Sequence, residues 1–193
     1  MTDYLRKNFA KLLNSTAVFF VDLGCTPNLM TVIGVIGNII GAAFIAKGNL
    51  LVGGLFALIF GLFDAVDGSM ARLIGGGTKY GAFLDSISDR ISELVILFGL
   101  LVYFIGRAQS VNCYLVFVAA SGSVLVSYSR ARAQSLGVDT KTGILTRVER
   151  YLVMVISLLV QRPDLGLWVI AILSNLTVFQ RIWDVRKKLS TLE

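Results

Sequence analysis

Residues 50–63 of the chain read LLVGGLFALIFGLF, and residues 64–90 continue as DAVDGSMARLIGGGTKYGAFLDSISDR. The first segment is wholly apolar, and it meets Asp64 and Asp67 without any turn signal. One helix is therefore expected to continue through both carboxylates to about Ile74. An apolar helix that ends in acidic residues is the feature from which the fold and the chemistry are both predicted.

A glycine turn and a second helix follow. Three glycines at 75–77 break the first helix, and the next helix is expected to start near Gly81. Its first three turns carry the polar residues Asp85, Ser88, Asp89, Arg90 and Glu93. It becomes purely apolar over 94–106. The polar end of this helix is therefore expected to face the polar end of the preceding helix.

The composition places these helices in a membrane. Of the 193 residues, 55% are apolar, 16% are charged and 19 are glycine, and the mean hydropathy is +0.77. Soluble domains have about a quarter of their residues charged. The apolar content excludes disorder, and two cysteines without a Gly-X-Y period exclude a disulfide scaffold and a collagen. An all-α, polytopic membrane protein remains.

The hydropathy pattern predicts a single membrane domain over 1–193, with an interfacial amphipathic helix in 1–22 and six transmembrane helices in a bundle over 30–185. The predicted spans are 31–46, 50–74, 81–106, 111–129, 150–160 and 165–181. A polar connection is predicted at 130–149. The amphipathic helix is predicted from the helical spacing of Leu5, Phe9, Leu12 and Leu13. A soluble cap helix is the alternative for that segment.

The basic residues follow the membrane topology. A net charge of +6 would also suit a nucleic-acid-binding protein. With the N-terminus inside, however, only Lys47, Arg107 and Arg162 of the 18 basic residues fall in outer loops. This asymmetry follows the positive-inside rule. We therefore expect no nucleic-acid partner, a plasma-membrane location, and a cytoplasmic position for the N-terminus and the polar helix ends.

The candidate metal ligands are four aspartates, Asp64, Asp67, Asp85 and Asp89. Within each helix the two aspartates are three or four residues apart, so they share one face. Converging carboxylates repel unless divalent cations neutralise them, and oxygen ligands favour Mg²⁺, Mn²⁺ or Ca²⁺. A single aspartate could instead cap a helix or pair with Arg72 or Arg90. A cation or solute carrier is the alternative for all four, but it predicts carboxylates spread across the bilayer.

Two hard cations at one membrane face suit phosphoryl transfer. Gly68 permits close backbone approach beside Asp67, and Arg72 offers a planar fork to a phosphate. The sequence at 75–79 lacks the spacing of a phosphate-binding loop and does not follow a strand, so it is interpreted as a turn. Thr78 within it is a candidate ligand contact.

The pattern Asp64-x2-Asp67-Gly68-x2-Ala71-Arg72-x8-Gly81-x3-Asp85-x3-Asp89 matches every fixed position of the CDP-alcohol phosphotransferase signature, and the six-span layout extends this resemblance over nearly the whole chain. The resemblance implies an enzyme that uses two Mg²⁺ or Mn²⁺ ions and displaces CMP from a CDP-linked lipid with an alcohol. It implies that Asp64, Asp67 and Asp85 ligate metal, and that Asp89 is both a ligand and the general base. It implies CDP-lipid contacts from Pro27, Asn28, Thr31, Gly68, Arg72 and Thr78. A helix cap is a compatible role for Asn28.

The candidate ligands for an acceptor phosphate are Arg130, Arg150 and Arg181, with Arg147 as a further candidate. Anchoring to anionic lipid is the alternative for these arginines. The segments 127–133, 143–150 and 180–181 are similar to prokaryotic phosphatidylinositol phosphate synthases, with departures at Arg130 and Val148, where that group commonly has lysine and proline. The resemblance implies transfer from CDP-diacylglycerol to inositol 1-phosphate and a homodimeric enzyme. Glycerol 3-phosphate is the alternative acceptor.

Overall fold

The computed structural model of the chain describes residues 13–190, and every regular element in that range is a helix. Helix α1 is described over 13–22. The others are α2 (Pro27–Ala46), α3 (Leu50–Leu73), α4 (Lys79–Ile105), α5 (Ser110–Ser135), α6 (Arg147–Leu159) and α7 (Pro163–Leu189). The all-α prediction is therefore confirmed over the described range. Leu5, Phe9 and Leu12, on which the amphipathic-helix prediction depends, lie outside it.

Four of these helices are long and apolar enough to cross a membrane, namely α2, α3, α5 and α7. Helix α4 has sufficient length at 27 residues, but its first half carries the polar residues described above. Helix α6 has only 13 residues. By length and composition the chain is a membrane protein, and hydropathy alone identifies four candidate spans.

Helices α5 and α7 continue past their predicted ends. Helix α5 ends at Ser135 rather than Ser129, and α7 ends at Leu189 rather than Arg181. The reason is that hydropathy marks where a helix leaves the apolar layer, whereas backbone hydrogen bonding continues through the polar residues beyond. The connection predicted at 130–149 is accordingly shortened to 136–146.

The chain divides into two compact units, and the first contains the residues up to Gly41 together with Leu55–Ile96. Its buried core consists of Ala17 from α1, Met30 from α2, and Val66 and Met70 from α3. Side chains packed around these four include Leu13, Phe20, Val21, Cys25, Ile33 and Phe63. Because Val66 and Met70 lie on either side of Asp67 in the sequence, this core fixes the helical segment that carries that carboxylate.

Close contact between α2 and α3 in the first unit depends on one glycine. A Cβ at Gly37 would lie 2.0 Å from the ring of Phe60, so the ring occupies the space of the missing side chain. Phe60 also stacks on Phe56 and Phe63, with ring centroids 5.6 and 5.3 Å away. The register between α2 and α3 is therefore set by an aromatic row packed against a small residue.

The second unit contains Ala42–Gly54 and the chain from Leu97 onward. Helix α7 packs there against both α5 and α6. A Cβ at Gly166 would lie 2.4 Å from the Ser157 hydroxyl of α6, and one at Gly122 would lie 3.0 Å from the Ser174 Cβ. Small residues at these contacts let the helix backbones approach closely, as is common between helices in membranes. This close packing fixes the position of α7, and of the residues on it, relative to α5 and α6.

Candidate metal site and arginine cluster

The end of α3 and the start of α4 bring three carboxylates together. Asp64, Asp67 and Asp85 each offer an oxygen, and these three oxygens lie within 4.8 Å of one another. Asp67 is 5% exposed, and the other two side chains are half-buried. Oxygen ligands at this spacing fit a hard divalent cation, and such a cation would relieve the repulsion between the carboxylates.

The buried member of this group is held from α2. The Thr31 hydroxyl lies 2.5 Å from Asp67 Oδ2 and 3.1 Å from the Pro27 carbonyl oxygen. A hydroxyl has one proton to donate, and the shorter contact assigns that proton to Asp67. Thr31 therefore orients the Asp67 carboxylate, which is a contact that the sequence did not predict.

Asp89 is not among the three grouped carboxylates. It lies one turn beyond Asp85 on α4 and is half-buried. Its position at i+4 places it on the same helix face as Asp85. Arg90, considered above as an ion-pair partner for an aspartate, donates a hydrogen bond to the Ser86 carbonyl oxygen.

Gly68 and Arg72 form one edge of the acidic group. A Cβ at Gly68 would have only the Arg72 guanidinium within 4 Å, at 3.7 Å, so the space beside this glycine is open. The Arg72 guanidinium donates a 2.9 Å hydrogen bond to Ser69 Oγ, which is one turn away on the same helix. The fork of Arg72 is thus held beside the open space at Gly68.

The glycine turn ends α3 and a threonine begins α4. Gly75 and Gly76 have φ values of +97° and +110°, which glycine adopts without the penalty that a side chain imposes. Thr78 precedes α4, and its Oγ1 accepts a 2.9 Å hydrogen bond from the Gly81 N–H. This is an N-cap contact, and it leaves the hydroxyl proton of Thr78 available to donate.

Asn28 lies at the start of α2, next to the first turn of α4. A Cβ at Gly81 would lie 3.1 Å from Asn28 Oδ1 and 3.1 Å from Thr78 Oγ1. The cap contact of α2 is made by Thr26, whose Oγ1 accepts a 3.3 Å hydrogen bond from the Leu29 N–H. The Pro27–Asn28 segment, Thr31, Thr78 and the acidic group all belong to the first unit.

Three of the predicted arginines come together in the second unit. Arg130 and Arg150 are close enough to Arg181 to interact with it electrostatically. Arg150 is 1% exposed and Arg181 is 4% exposed, whereas Arg130 has a half-exposed side chain that lies 3.8 Å from Asp139. Three neighbouring guanidinium groups, two of them buried, offer several charge-assisted donors in one place, so this cluster fits an anionic ligand such as a phosphate.

Arg147 takes a different position from the other three. It is exposed in the first turn of α6, whose N-cap residue is Thr146. The Thr146 hydroxyl donates a hydrogen bond to Glu149, and this bond lowers the pKa of that carboxyl below its ordinary value. A side-chain hydrogen bond between residues three positions apart thus joins the N-cap residue of α6 to its first turn.

Sequence reasoning missed a set of polar contacts around Arg181. Its Nε donates a 3.0 Å hydrogen bond to the Thr142 carbonyl oxygen, and its terminal nitrogen donates to the Val126 carbonyl oxygen. One turn along α7, Asp184 accepts a hydrogen bond from Thr140. The available signal was the polar helical spacing of Thr177, Arg181, Asp184 and Lys188, of which only Arg181 was considered as a site residue.

In a comparison with known protein families, residues 25–180 match the CDP-alcohol phosphatidyltransferase family. Archaetidylinositol phosphate synthase from Pyrococcus horikoshii is 34% identical over 190 residues, covering 98% of this chain and 98% of that protein. The chain also resembles the crystal structure of Mycobacterium tuberculosis phosphatidylinositol phosphate synthase with CDP-DAG bound, with a TM-score of 0.85, 30% identity, and coverage of 91% and 94%. The manganese and citrate complex of that enzyme gives a TM-score of 0.83, 31% identity, and coverage of 90% and 88%.

Proposed function

The chain belongs to the CDP-alcohol phosphatidyltransferase family, and from that premise we propose that it transfers a phosphatidyl group from CDP-diacylglycerol to inositol 1-phosphate. The products are phosphatidylinositol phosphate and CMP. The observation that carries the proposal is the grouping of Asp64, Asp67 and Asp85, because closely spaced carboxylates on the two helix ends that flank a glycine turn suit a metal-assisted transfer at phosphorus.

The acidic residues hold the metal in this proposal. Asp64, Asp67 and Asp85 bind Mg²⁺ or Mn²⁺, and Asp89 completes the ligands for a second ion. When bound, the cations would neutralise the phosphate charges and lower the pKa of the acceptor hydroxyl. Thr31 keeps the Asp67 carboxylate in one orientation through the 2.5 Å hydrogen bond. Such outer contacts stabilise a ligand for metal binding.

Asp89 acts as the general base. Its carboxylate accepts the proton of the acceptor hydroxyl while the hydroxyl oxygen forms a bond to the β-phosphorus of the CDP-lipid. The bond from that phosphorus to the bridging oxygen breaks, and CMP leaves with the electron pair. A carboxylate is a weak base for an alcohol, so this role depends on holding the hydroxyl close to it.

The CDP moiety binds along the start of α2 and the glycine turn. Pro27, Asn28 and Thr31 contact the cytidine side, and Gly68, Arg72 and Thr78 contact the diphosphate. The open space beside Gly68 and the adjacent guanidinium of Arg72 support the diphosphate contact. The closeness of Asn28 to Thr78 and Gly81 supports the inclusion of α2 in the same site.

The acceptor phosphate binds to Arg130, Arg150 and Arg181, with Arg147 at the edge. Arginine forks make paired, charge-assisted hydrogen bonds to phosphate oxygens, which favours a phosphorylated alcohol over choline or ethanolamine. The burial of Arg150 and Arg181 supports this role over lipid anchoring, because anchoring residues are exposed to headgroups. Inositol 1-phosphate is favoured by the two named relatives, because both are named as inositol phosphate lipid synthases.

The membrane arrangement in the proposal has six spans, which adds α4 and α6 to the four helices identified by hydropathy. Residues 13–22 belong to the proposed interfacial helix, and 30–185 form the bundle of a single domain. The N-terminus and the site lie on the cytoplasmic side of the plasma membrane, in agreement with the basic-residue asymmetry. The enzyme is a homodimer.

The test is CMP release by the detergent-solubilised full chain with CDP-diacylglycerol and Mg²⁺ or Mn²⁺. The acceptors to compare are inositol 1-phosphate, glycerol 3-phosphate, free inositol and serine. We expect release that depends on inositol 1-phosphate. Release only with glycerol 3-phosphate would reassign the acceptor. Absence of release with every acceptor, and also with an ether-linked CDP-lipid donor, would contradict the proposed reaction.

A further inference from the structure

The loop at 136–146 is bound to one face of α7 at its C-terminal end. The Leu145 N–H donates a 3.1 Å hydrogen bond to Thr177 Oγ1, and the Ile144 N–H donates a 3.2 Å hydrogen bond to Gln180 Oε1. Gly143, at φ +145°, passes so close that a Cβ there would lie 2.3 Å from Thr177 Cγ2. This end of the loop is therefore fixed through its own backbone.

A carboxylate binds the other end of the loop. Thr140 is completely buried, and its hydroxyl donates a 2.7 Å hydrogen bond to Asp184 Oδ2. Lys188 Nζ donates to the same oxygen at 2.8 Å and to the Asp139 carbonyl oxygen at 2.8 Å. Asp184 therefore joins the loop to α7 through the Thr140 hydrogen bond, and Lys188, which lies on the same helix, joins α7 to the loop at the Asp139 carbonyl oxygen.

The Arg181 guanidinium lies between these two attachments. Its Nε donates to the Thr142 carbonyl oxygen, which is two residues beyond Thr140 and one before Gly143. Thr177, Arg181, Asp184 and Lys188 are spaced three or four residues apart, so they share the face of α7 that the loop covers. The loop consequently sets the position of the Thr142 carbonyl, and this carbonyl fixes the plane of the guanidinium together with the Val126 carbonyl of α5.

We propose that Thr140 and Asp184 are positioning residues for the acceptor phosphate. They do not touch the substrate. They hold the loop so that Thr142 fixes the direction of the Arg181 fork. This inference rests on the proposed role of Arg181 in acceptor binding, and it extends that site to two residues that lie 44 positions apart in the sequence.

The variant Thr140→Val removes the hydroxyl with little change in side-chain shape. A guanidinium that is misdirected by a fraction of an ångström loses part of its paired contact with phosphate. We expect the acceptor KM to rise about tenfold, as for the loss of a charge-assisted hydrogen bond. The CDP-lipid KM and kcat should stay within about twofold, because Thr140 does not contact the donor or the acidic group in this account.

Two matched variants separate positioning from general damage. Thr140→Ser keeps the hydroxyl, and it should restore the acceptor KM. Lys141→Ala removes the neighbouring exposed side chain, whose only described ion pair is with Asp139 at 3.7 Å, and it should leave both KM values unchanged. Thermal unfolding of each variant in detergent checks that the chain remains folded.

The double variant Thr140→Val/Arg181→Ala tests whether Thr140 acts through Arg181. In the Arg181→Ala background, Thr140→Val should add nothing to the acceptor KM. An additive tenfold effect would overturn the inference, and so would an unchanged KM in folded Thr140→Val protein. If Arg181→Ala alone leaves the acceptor KM unchanged, the proposed arginine site is itself wrong. That result distinguishes failure of the proposed function from failure of the positioning role alone.

Discussion

The acidic group and the arginine cluster are assembled in different ways. Asp64, Asp67 and Asp85 come from two consecutive helices joined by a five-residue glycine turn, and α2 adds one hydroxyl contact. Arg130, Arg150 and Arg181 come from three helices, and Arg130 and Arg181 also contact a loop that is bound to α7. The first arrangement is local along the chain and the second is tertiary. The acidic group can therefore be predicted from the spacing of its residues in the sequence. Its geometry is also expected to tolerate substitutions at distant positions better than that of the arginine cluster.

The difference also separates two chemical tasks. In the proposed function the acidic group holds metal and donor phosphates, whereas the arginines hold the acceptor phosphate. Substitutions in the two regions should therefore change different kinetic constants. This division of tasks would be contradicted if a substitution in the acidic group changed only the acceptor KM, or if a substitution among the arginines changed metal or donor binding.

The largest effect is expected for Asp89→Asn. This change keeps the shape of the side chain but removes its ability to accept a proton, so kcat should fall by about 10²- to 10⁴-fold. Binding of CDP-lipid, and of the ion that Asp64, Asp67 and Asp85 would hold, should be largely retained, because those three carboxylates are unchanged. CMP release and equilibrium binding measure the two properties separately. Glu93→Gln, one turn further along α4, is the matched control, and full activity in Asp89→Asn would remove the general-base role.

A smaller loss of activity is expected for Asp67→Asn. An amide cannot replace the charge of a carboxylate ligand, and we expect CMP release to fall by about 10²- to 10³-fold, in the range seen when one electrostatic contact to a transition state is removed. Excess Mn²⁺ should recover part of the rate, because the lesion is in metal binding. The exposed change Asp22→Asn serves as control. A raised acceptor KM with normal metal dependence would contradict the division between the two regions.

The acidic group illustrates what spacing can predict. Asp64 and Asp67 at i and i+3, a run of glycines, and Asp85 four residues after Gly81 are sufficient to place carboxylates on facing helix ends. The contact between Thr31 and Asp67 was not predicted, since it depends on the register of α2 against α3, which Phe60 and Gly37 determine. The family resemblance implies a nucleotide contact for Thr31, which stays a prediction, and the geometry adds a contact with Asp67.

The arginine cluster illustrates where sequence reasoning stops. The three arginines were identified as a group, but the ends of α5 and α7 were placed six and eight residues too early, because hydropathy reports the apolar layer and not the helix. The contact of Thr140 with Asp184 joins residues 44 positions apart and has no local signature. It follows from tertiary packing alone.

An intermediate effect is expected for Arg181→Ala and Arg150→Ala. Losing a charge-assisted phosphate contact should raise the acceptor KM about 10- to 100-fold and leave the donor KM close to wild type. Steady-state CMP release at varied concentrations of each substrate separates the two constants. Lys187→Ala, at an exposed position on α7, is the control for general loss of positive charge. Equal changes in both KM values would identify the arginines as anchors.

The smallest effect is expected for Thr31→Val. Removing the hydroxyl leaves Asp67 in place but less well oriented, and Mn²⁺ affinity should fall about tenfold, as for other outer contacts of metal ligands. Thr31→Ser should restore the affinity, because it keeps the donor. A rise in the KM for CDP-lipid with unchanged Mn²⁺ affinity would show that Thr31 serves the nucleotide only. In that case the metal site would consist of the carboxylates alone, without a contribution from Thr31.

The most direct test of the central claim is Mn²⁺ binding measured by electron paramagnetic resonance on the full chain in detergent. Wild type, Asp67→Asn and Arg181→Ala should be titrated without either substrate. Wild type and Arg181→Ala are predicted to bind Mn²⁺ with the same affinity, while Asp67→Asn binds it much more weakly. Equal binding by wild type and Asp67→Asn would contradict the assignment of metal to the acidic group, and with it the proposed mechanism.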